Sequence, residues 1–316
     1  MLLLKVGLVI PAHNEAENLK VLVPEIFTTL KGLYDVHVLV IDDGSTDETT
    51  RILSDLSAQY PDLGEFRVPD RSGKANALAK GFTEIQSQIP DVICIMDGDY
   101  QDNPAFLPLM VQKALAGFDL VTGKRVNRAE KLTKRVSSKI YNRLVGLIMG
   151  TPGRDHNSGM KVLSLGLASY LAPLLVGDMH RFISALAHWQ GFRTTEIAVL
   201  NRPRHSGVSK YGVGRLLTGS FDLFSLRLAI WAISKRWASF SFLVALLIGT
   251  IFGEFIATTA LLSALALGAG IYFPLFGLGG LILFQAITVL LALNARIQSQ
   301  RISFPRNRHT FWPRRR

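Results

Sequence analysis

Val92-Ile93-Cys94-Ile95-Met96-Asp97-Gly98-Asp99-Tyr100-Gln101-Asp102 is a five-residue apolar run closed by two carboxylates around a glycine, with a third carboxylate behind them. A short apolar run bounded by turn residues reads as a buried strand, so the acids mark a strand's carboxyl end. The same grammar recurs upstream. Val36-His37-Val38-Leu39-Val40-Ile41 runs into Asp42-Asp43-Gly44-Ser45-Thr46-Asp47, and Val6-Gly7-Leu8-Val9-Ile10 runs into Pro11-Ala12-His13-Asn14-Glu15. Helical patterns separate the strands. One opens at Asn14 or Glu15 and runs through Leu19, Leu22, Val23 and Ile26; a second reaches about Tyr60; a third covers 74–85. Alternating strands and helices predict an α/β fold with a mostly parallel sheet and right-handed crossovers. In such sheets ligands gather at the carboxyl ends of the strands, where all of these polar clusters fall.

The rest of the chain is different. It has 316 residues, 48% of them hydrophobic, with a mean hydropathy of +0.26, and the apolar excess is concentrated. Glu254 is the only charged residue between Trp237 and Ala295. That block is long enough for two membrane spans of about 20 residues each, expected near 237–260 and 271–295 with a Gly/Pro turn between them. A buried two-helix hairpin would need less length and a polar face. The net charge of +11 is also local: ten of the 35 Lys/Arg, but only one of the 24 Asp/Glu, lie from Leu223 onward. Basic residues flank both spans, so both flanks are expected on the cytoplasmic side. The Arg-rich tail beside a span suits anionic lipid rather than nucleic acid. Two basic amphipathic stretches, 131–149 and 213–236, suit the membrane interface. The single cysteine, Cys94, excludes a disulfide framework and a cysteine zinc site. The apolar start is too short for a secretory signal and reads as a first strand.

Asp97 and Asp99 at one strand end suit a hard divalent cation, Mg²⁺ or Mn²⁺, that also meets substrate phosphates. Ser45 or Thr46 reads as an ordinary helix cap, yet the doubled Asp42-Asp43 exceeds what capping needs. Carboxylates there can accept hydrogen bonds from a base N–H and ribose hydroxyls. Ser72-Gly73-Lys74-Ala75-Asn76 offers a glycine turn and a cation at a helix start, a phosphate-binding composition. Arg204-His205-Ser206-Gly207-Val208-Ser209-Lys210-Tyr211 mixes cations with small residues, which also suits phosphate or a mobile lid.

These residues together resemble the family 2 glycosyltransferases of the GT-A (Rossmann-like) fold, specifically the dolichyl- and polyprenyl-phosphate sugar synthases. The resemblance runs to about Arg215 and rests on eight motifs in order: Pro11 to Glu15, Asp42 to Asp47, Lys74 to Leu78, Asp97 to Gln101, Gly123-Lys124-Arg125, Asp155 to Lys161, His180-Arg181-Phe182, and Arg204 to Tyr211. It implies an enzyme that moves one sugar from a nucleotide-sugar onto a polyprenyl phosphate at the cytoplasmic face of a lipid bilayer. Pro11, Ala12, Asn14, Glu15, Asp42 and Asp43 would surround the nucleoside, with Lys74 and Asn76 nearby. Asp97, Asp99 and Gln101 would hold the metal and diphosphate. Arg125, Lys139, Arg204, Ser209 and Lys210 would bind the donor diphosphate and the lipid phosphate. Asp99, Arg125 and Asp155 are the residues implied in catalysis. Asp155 is open to three roles: general base, orienter of Lys161 or Arg125, or structural. A phosphate acceptor lessens the need for a base, because its second ionisation lies near pH 6.

The resulting division is a catalytic domain over 1–212, an interfacial helix over 213–236, a two-span hairpin over 237–295 and a basic tail over 296–316. Donor sugar and oligomeric state are left open, a homo-oligomer included, with UDP-glucose and GDP-mannose first among donors. A processive polysaccharide synthase would carry Gln-x-x-Arg-Trp, but Ile233 stands where the Gln belongs before Arg236-Trp237. A non-catalytic nucleotide-sugar sensor would not need the metal acids, and Asp97 and Asp99 are both present.

Overall fold

The computed structural model describes residues 3–126, 143, 146, 150, 155 and 158–203. All of them fall within the first of the two units into which the chain divides, Met1–Leu216 with Asn307–Arg316, the second being Leu217–Arg306. Only that first unit is described. The expected spans, both amphipathic helices apart from Arg143 and Gly146, and Lys139, Arg204, Ser209 and Lys210 lie outside the described residues. Among the described residues no helix is long and apolar enough to cross a membrane.

Seven strands form one sheet: β1 (Lys5–Ala12), β2 (Asp35–Asp43), β3 (Leu63–Val68), β4 (Val92–Ile95), β5 (Leu120–Val126), β6 (Lys161–Ser164) and β7 (Thr194–Leu200). Their order is β3-β2-β1-β4-β6-β5-β7. The pairs β1–β2, β2–β3, β1–β4 and β5–β7 are parallel, and β6 is antiparallel to both β4 and β5. The mostly parallel α/β sheet expected from the sequence is therefore present, with one reversed strand. The chain winds outward from β1 to β3 and then crosses back to β4, so the topological switch point lies between β1 and β4. Open α/β sheets bind ligands in the crevice at such a point.

Helices α1 (Ala16–Leu30), α2 (Thr49–Gln59), α3 (Lys74–Ile85), α4 (Leu107–Leu115), α5 (Leu165–Leu171) and α6 (Ile183–Trp189) cover the sheet. The central strands are apolar on both faces because both are covered. Leu8 and Ile10 of β1 pack in one cluster with Leu19, Leu22, Val23 and Ile26 of α1, each helix residue fully buried and stabilising by roughly 1.5–3 kcal/mol. Val9 and Ile41 face the other way against α3, whose Gly81 has no Cβ to collide with them. The third strand has no counterpart in the sequence reading: β3 is an exposed edge whose only buried residue is Leu63, so it lacks an apolar run.

The loops at the carboxyl edge are braced to one another. Helix α2 starts at Thr49, whose N–H donates to Asp47 Oδ1 at 3.0 Å, so neither Ser45 nor Thr46 is its cap. Instead the Asn14 backbone N–H donates to Ser45 Oγ (2.9 Å), and the Thr46 N–H donates to Asn14 Oδ1 (2.8 Å). Asn14 holds a left-handed φ of 56°, which asparagine tolerates better than most side chains. Gly44 combines φ +67° with a close approach: an added Cβ would lie 2.7 Å from the Arg71 backbone nitrogen. Gly32 has φ +89° with open space around it. Gly32→Ala is expected to lose only the left-handed strain, ~1–2 kcal/mol. Gly44→Ala should lose measurably more stability, because the backbone at 70–71 must move. Equal unfolding midpoints for the two full-length variants would show that the close approach contributes nothing.

Candidate active site

Asp42 and Asp43 end β2, and both carboxylates are engaged by the chain itself. Asp42 accepts from the Ser45 N–H (2.9 Å) and the Thr50 hydroxyl (2.7 Å). Asp43 accepts from the Ser72 N–H (2.6 Å), the Ser72 hydroxyl (2.7 Å) and the Gly73 N–H (2.8 Å). Both are buried, so the second aspartate fixes the Ser72-Gly73 turn from which α3 departs. The His13 ring nitrogen Nδ1 meets the Asp43 carbonyl at 2.8 Å. Pro11 and Ala12 pair with Ile41 and Asp42 at the end of β1. The Glu15 N–H donates to Thr49 Oγ1 (3.0 Å), and the Asn76 amide donates to the Ser72 carbonyl (2.8 Å) from an exposed position.

Lys74, the first residue of α3, reaches across to the end of β4 and pairs with Asp97 Oδ1 at 2.5 Å. Asp99 Oδ1 accepts from the Gln101 N–H at 3.1 Å, which folds the acidic loop back on itself. Tyr100 between them has φ 66°, an unusual conformation for a bulky residue. Arg202 secures this loop. Its guanidinium stacks over the Tyr100 ring (5.1 Å), pairs with both oxygens of Glu25 on α1 (2.6 and 2.8 Å) and donates to Asn103 Oδ1, while its backbone N–H donates to the Gln101 carbonyl (2.8 Å).

Because β6 is antiparallel, its first residue, Lys161, lies beside Ile95 at the carboxyl end of β4 and opposite Thr122 of β5. The segment before β6 thereby reaches the same crevice. Asp155 makes a bidentate pair with Arg125 of β5 (2.9 and 3.0 Å), also accepts from the Arg125 backbone N–H (3.2 Å), and its own N–H donates to Glu196 of β7 (3.1 Å). The pair is well enclosed, with 19% exposure at Arg125 and 3% at Asp155. Of the two cations the sequence reading set beside Asp155, Arg125 is held by these three hydrogen bonds. The Lys161 ammonium is buried and donates to the Ser158 carbonyl.

Burial works to raise the Asp97 carboxyl, but the charges of Lys74, Lys161 and Arg125 hold it below the ordinary carboxylate range. Burial opposes the Arg125 charge, yet the hydrogen bonds to Asp155 and its negative charge make Arg125 hold its proton more tightly than a free guanidinium does. Lys161 is pushed down to about 8 by burial and then by Lys74. Asp102 is pushed up to about 7 by burial and then by the charge of Asp97. His180 falls well below its usual value because of burial, then Lys74 and Arg181. Its Nδ1 is buried with no hydrogen-bond partner among the described residues, while Arg181 pairs with Asp178 at 3.1 Å.

Among the described residues no three His, Cys, Asp or Glu side chains already converge as a ligand set. A Mg²⁺-type site needs fewer, since such ions use one or two carboxylates with substrate phosphates and waters. The oxygen donor that each of Asp97, Asp99 and Gln101 can offer fits that class. So does Asp102 Oδ2, a buried oxygen with no hydrogen-bond partner beside them. The sequence reading did not select Asp102, Glu196 or Arg202. A carboxylate five residues after Asp97, an acid in an edge strand and an arginine before a loop carry no local signal of burial or pairing.

Residues 8–166 match the glycosyl transferase family 2. Two similar proteins are the undecaprenyl-phosphate 4-deoxy-4-formamido-L-arabinose transferases of Yersinia pestis (strain Pestoides F) and Yersinia pseudotuberculosis serotype O:3 (strain YPIII). Each is 30% identical over 224 residues, covering 70% of this chain and 67% of the relative. Among solved structures, glucosyl-3-phosphoglycerate synthase from Mycobacterium tuberculosis, in complex with Mn²⁺, uridine diphosphate and glucosyl-3-phosphoglycerate, has the same fold. It superposes with a TM-score of 0.51 at 21% identity, over 72% of this chain and 79% of that one.

The Arg125–Asp155 pair gives a stability test. Asp155→Ala takes the bidentate carboxylate from a buried guanidinium and is expected to cost ~3–5 kcal/mol. Replacing both partners by apolar residues, as Arg125→Met with Asp155→Leu, should recover at least half of that loss. Denaturant unfolding of the two variants measures it, and a double variant no more stable than Asp155→Ala would contradict the pairing.

Proposed function

This chain belongs to glycosyl transferase family 2, and from that premise we propose that it transfers a single sugar from a nucleotide-sugar to a polyprenyl phosphate, inverting the anomeric centre. The observation that carries this reading is the meeting at the β1/β4 switch point of the Asp97 carboxylate with the charges of Lys74, Lys161 and Arg125. A site of this composition suits two phosphate-bearing substrates held side by side. The relatives named for an undecaprenyl-phosphate acceptor support the choice of acceptor class.

Asp97, Asp99 and Gln101 would hold a divalent cation, Mg²⁺ or Mn²⁺, whose charge when bound offsets that building on the departing nucleoside diphosphate. The chain's own residues do the remaining work. The turn that Asp43 fixes would present the Ser72-Gly73 backbone and Lys74 to the donor at the start of α3. The edge formed by Pro11, Ala12, Asn14 and Glu15 would border the nucleoside. Arg125, aimed by Asp155, would hold a phosphate in a fixed orientation, which lowers the entropy loss of bringing two anions into line. The acceptor phosphate is largely ionised at pH 7, so its oxygen attacks the anomeric carbon as the bond to the diphosphate breaks, without a base. Lys139, Arg204, Ser209 and Lys210 complete the proposed phosphate contacts from outside the described residues.

The donor is the finer part of the reading. UDP-glucose and GDP-mannose come first, and the printed specificity of the Yersinia relatives adds a nucleotide-linked 4-deoxy-4-formamido-L-arabinose to the panel. Transfer of label from one of these donors to polyprenyl phosphate, with no consumption when the acceptor is omitted, is the expected result. Donor hydrolysis independent of acceptor, or no product with any donor, would count against it. Chelation by EDTA should abolish transfer and added Mg²⁺ or Mn²⁺ should restore it, and Asp99→Ala should lose ~10²-fold in rate. Full activity in excess chelator would remove the cation from the proposal.

The two apolar stretches at 237–260 and 271–295, flanked by basic residues, support the further proposal of a two-span anchor with both flanks cytoplasmic. A reporter fused after Arg316 is then expected on the cytoplasmic side and one inserted near Gly270 on the opposite side. A C-terminal reporter on the far side would mean a different number of spans.

A further inference from the structure

Asp102 lies outside the Asp-x-Asp pair and the sequence gives it no role, yet it is deeply enclosed, at 4% exposure. The loop that carries it is held on both sides: Arg202 bonds the Gln101 carbonyl and Asn103 Oδ1, and Asn103 Oδ1 also accepts from the Ala105 N–H at 3.0 Å. Its Oδ2 has no hydrogen-bond partner among the described residues. That oxygen lies close to Asp97. A Cβ added to Gly159 would lie 2.7 Å from Asp102 Oδ2 and 2.6 Å from Asp97 Oδ2, so two carboxylate oxygens converge beside one glycine. Asp97 Oδ1 is taken by Lys74, and Lys161 and Arg125 are bonded to Ser158 and Asp155. Asp102 Oδ2 is therefore left buried beside a second carboxylate oxygen with no hydrogen-bond partner among the described residues.

An unpartnered buried carboxylate beside a second one costs free energy unless a positive charge joins them. We infer that Asp102 is an anchoring carboxylate of the cation site, gripping from the interior side the divalent ion that Asp97 and Asp99 meet from the crevice. Glycine at 159 is what allows both acids to close on it. This inference rests on the proposal that a divalent cation binds at Asp97 and Asp99. It adds that the motif alone does not set the affinity.

The test reads cation binding and not turnover. Mn²⁺ is titrated into the full-length chain, with UDP and with GDP present in parallel, and free Mn²⁺ is followed by electron paramagnetic resonance. Asp102→Asn is expected to bind Mn²⁺ roughly 10–100-fold more weakly. Its melting midpoint without metal should be equal to or above that of the unsubstituted chain, because an unpartnered buried charge has been removed. Should Asp102→Asn fail to fold, Gly159→Ala, which pushes a methyl group between the two oxygens, is expected to weaken Mn²⁺ binding in the same range. Unchanged Mn²⁺ affinity in whichever variant folds would overturn the inference and leave the cation proposal standing, with a proton shared by the two carboxyls. No Mn²⁺ binding by the unsubstituted chain would overturn both.

Discussion

Antiparallel pairing of β6 between β4 and β5 constrains everything at the carboxyl edge of the sheet. In a parallel sheet each strand delivers its last residues to the crevice and its first residues to the opposite edge. A reversed strand delivers its beginning instead, so Lys161 and the glycine and acid before it arrive beside Asp97 and Arg125. Without that reversal the 155–161 segment would enter from the far side of the sheet. Arg125 would then be buried without Asp155.

The consequence is a dense exchange of charge. Asp97 faces Lys74, Asp155 faces Arg125, and Lys161 donates to a backbone carbonyl. Buried charges survive when paired and hydrogen-bonded, and here each pairing also fixes a direction. Arg125 is held by two parallel hydrogen bonds, a geometry that a lysine cannot reproduce. A glycosyltransferase working on two anionic partners needs its cations fixed before the substrates arrive, because reorientation during the reaction adds to the barrier.

A second set of polar residues braces the rim. Asp42, Asp43, Asn14, Ser45 and Thr46 bind one another and the neighbouring backbone, tying the loops after β1, β2 and β3 into one edge. Arg202 does the same for the acidic loop, holding Tyr100 in its left-handed conformation through stacking while Glu25 anchors the guanidinium. Strained backbone of this kind persists only where the surroundings over-determine it, and the several contacts made by Arg202 meet that condition.

The sequence by itself determined the layered α/β architecture and the position of the crevice. Apolar runs with period-specific spacing stop at acidic or glycine-rich clusters, and strand ends are local facts. It also determined the family, since eight short motifs in order leave few alternatives. Lys74, Asp97, Asp99 and Arg125 stand out as candidate site residues from motif alone, and in the structure Asp97 lies within the field of Lys74, Lys161 and Arg125. The edge strand β3 stayed hidden because one buried residue in six leaves no periodicity to detect. What only the tertiary structure decided was which partner each charge takes. Asp155 engages Arg125 across thirty residues, Asp43 grips Ser72 across twenty-nine, and Asp102 Oδ2 is left without a hydrogen-bond partner among the described residues. Pairing depends on distances set by strand order and reversal, and those distances are a property of the folded sheet that no local stretch of sequence contains.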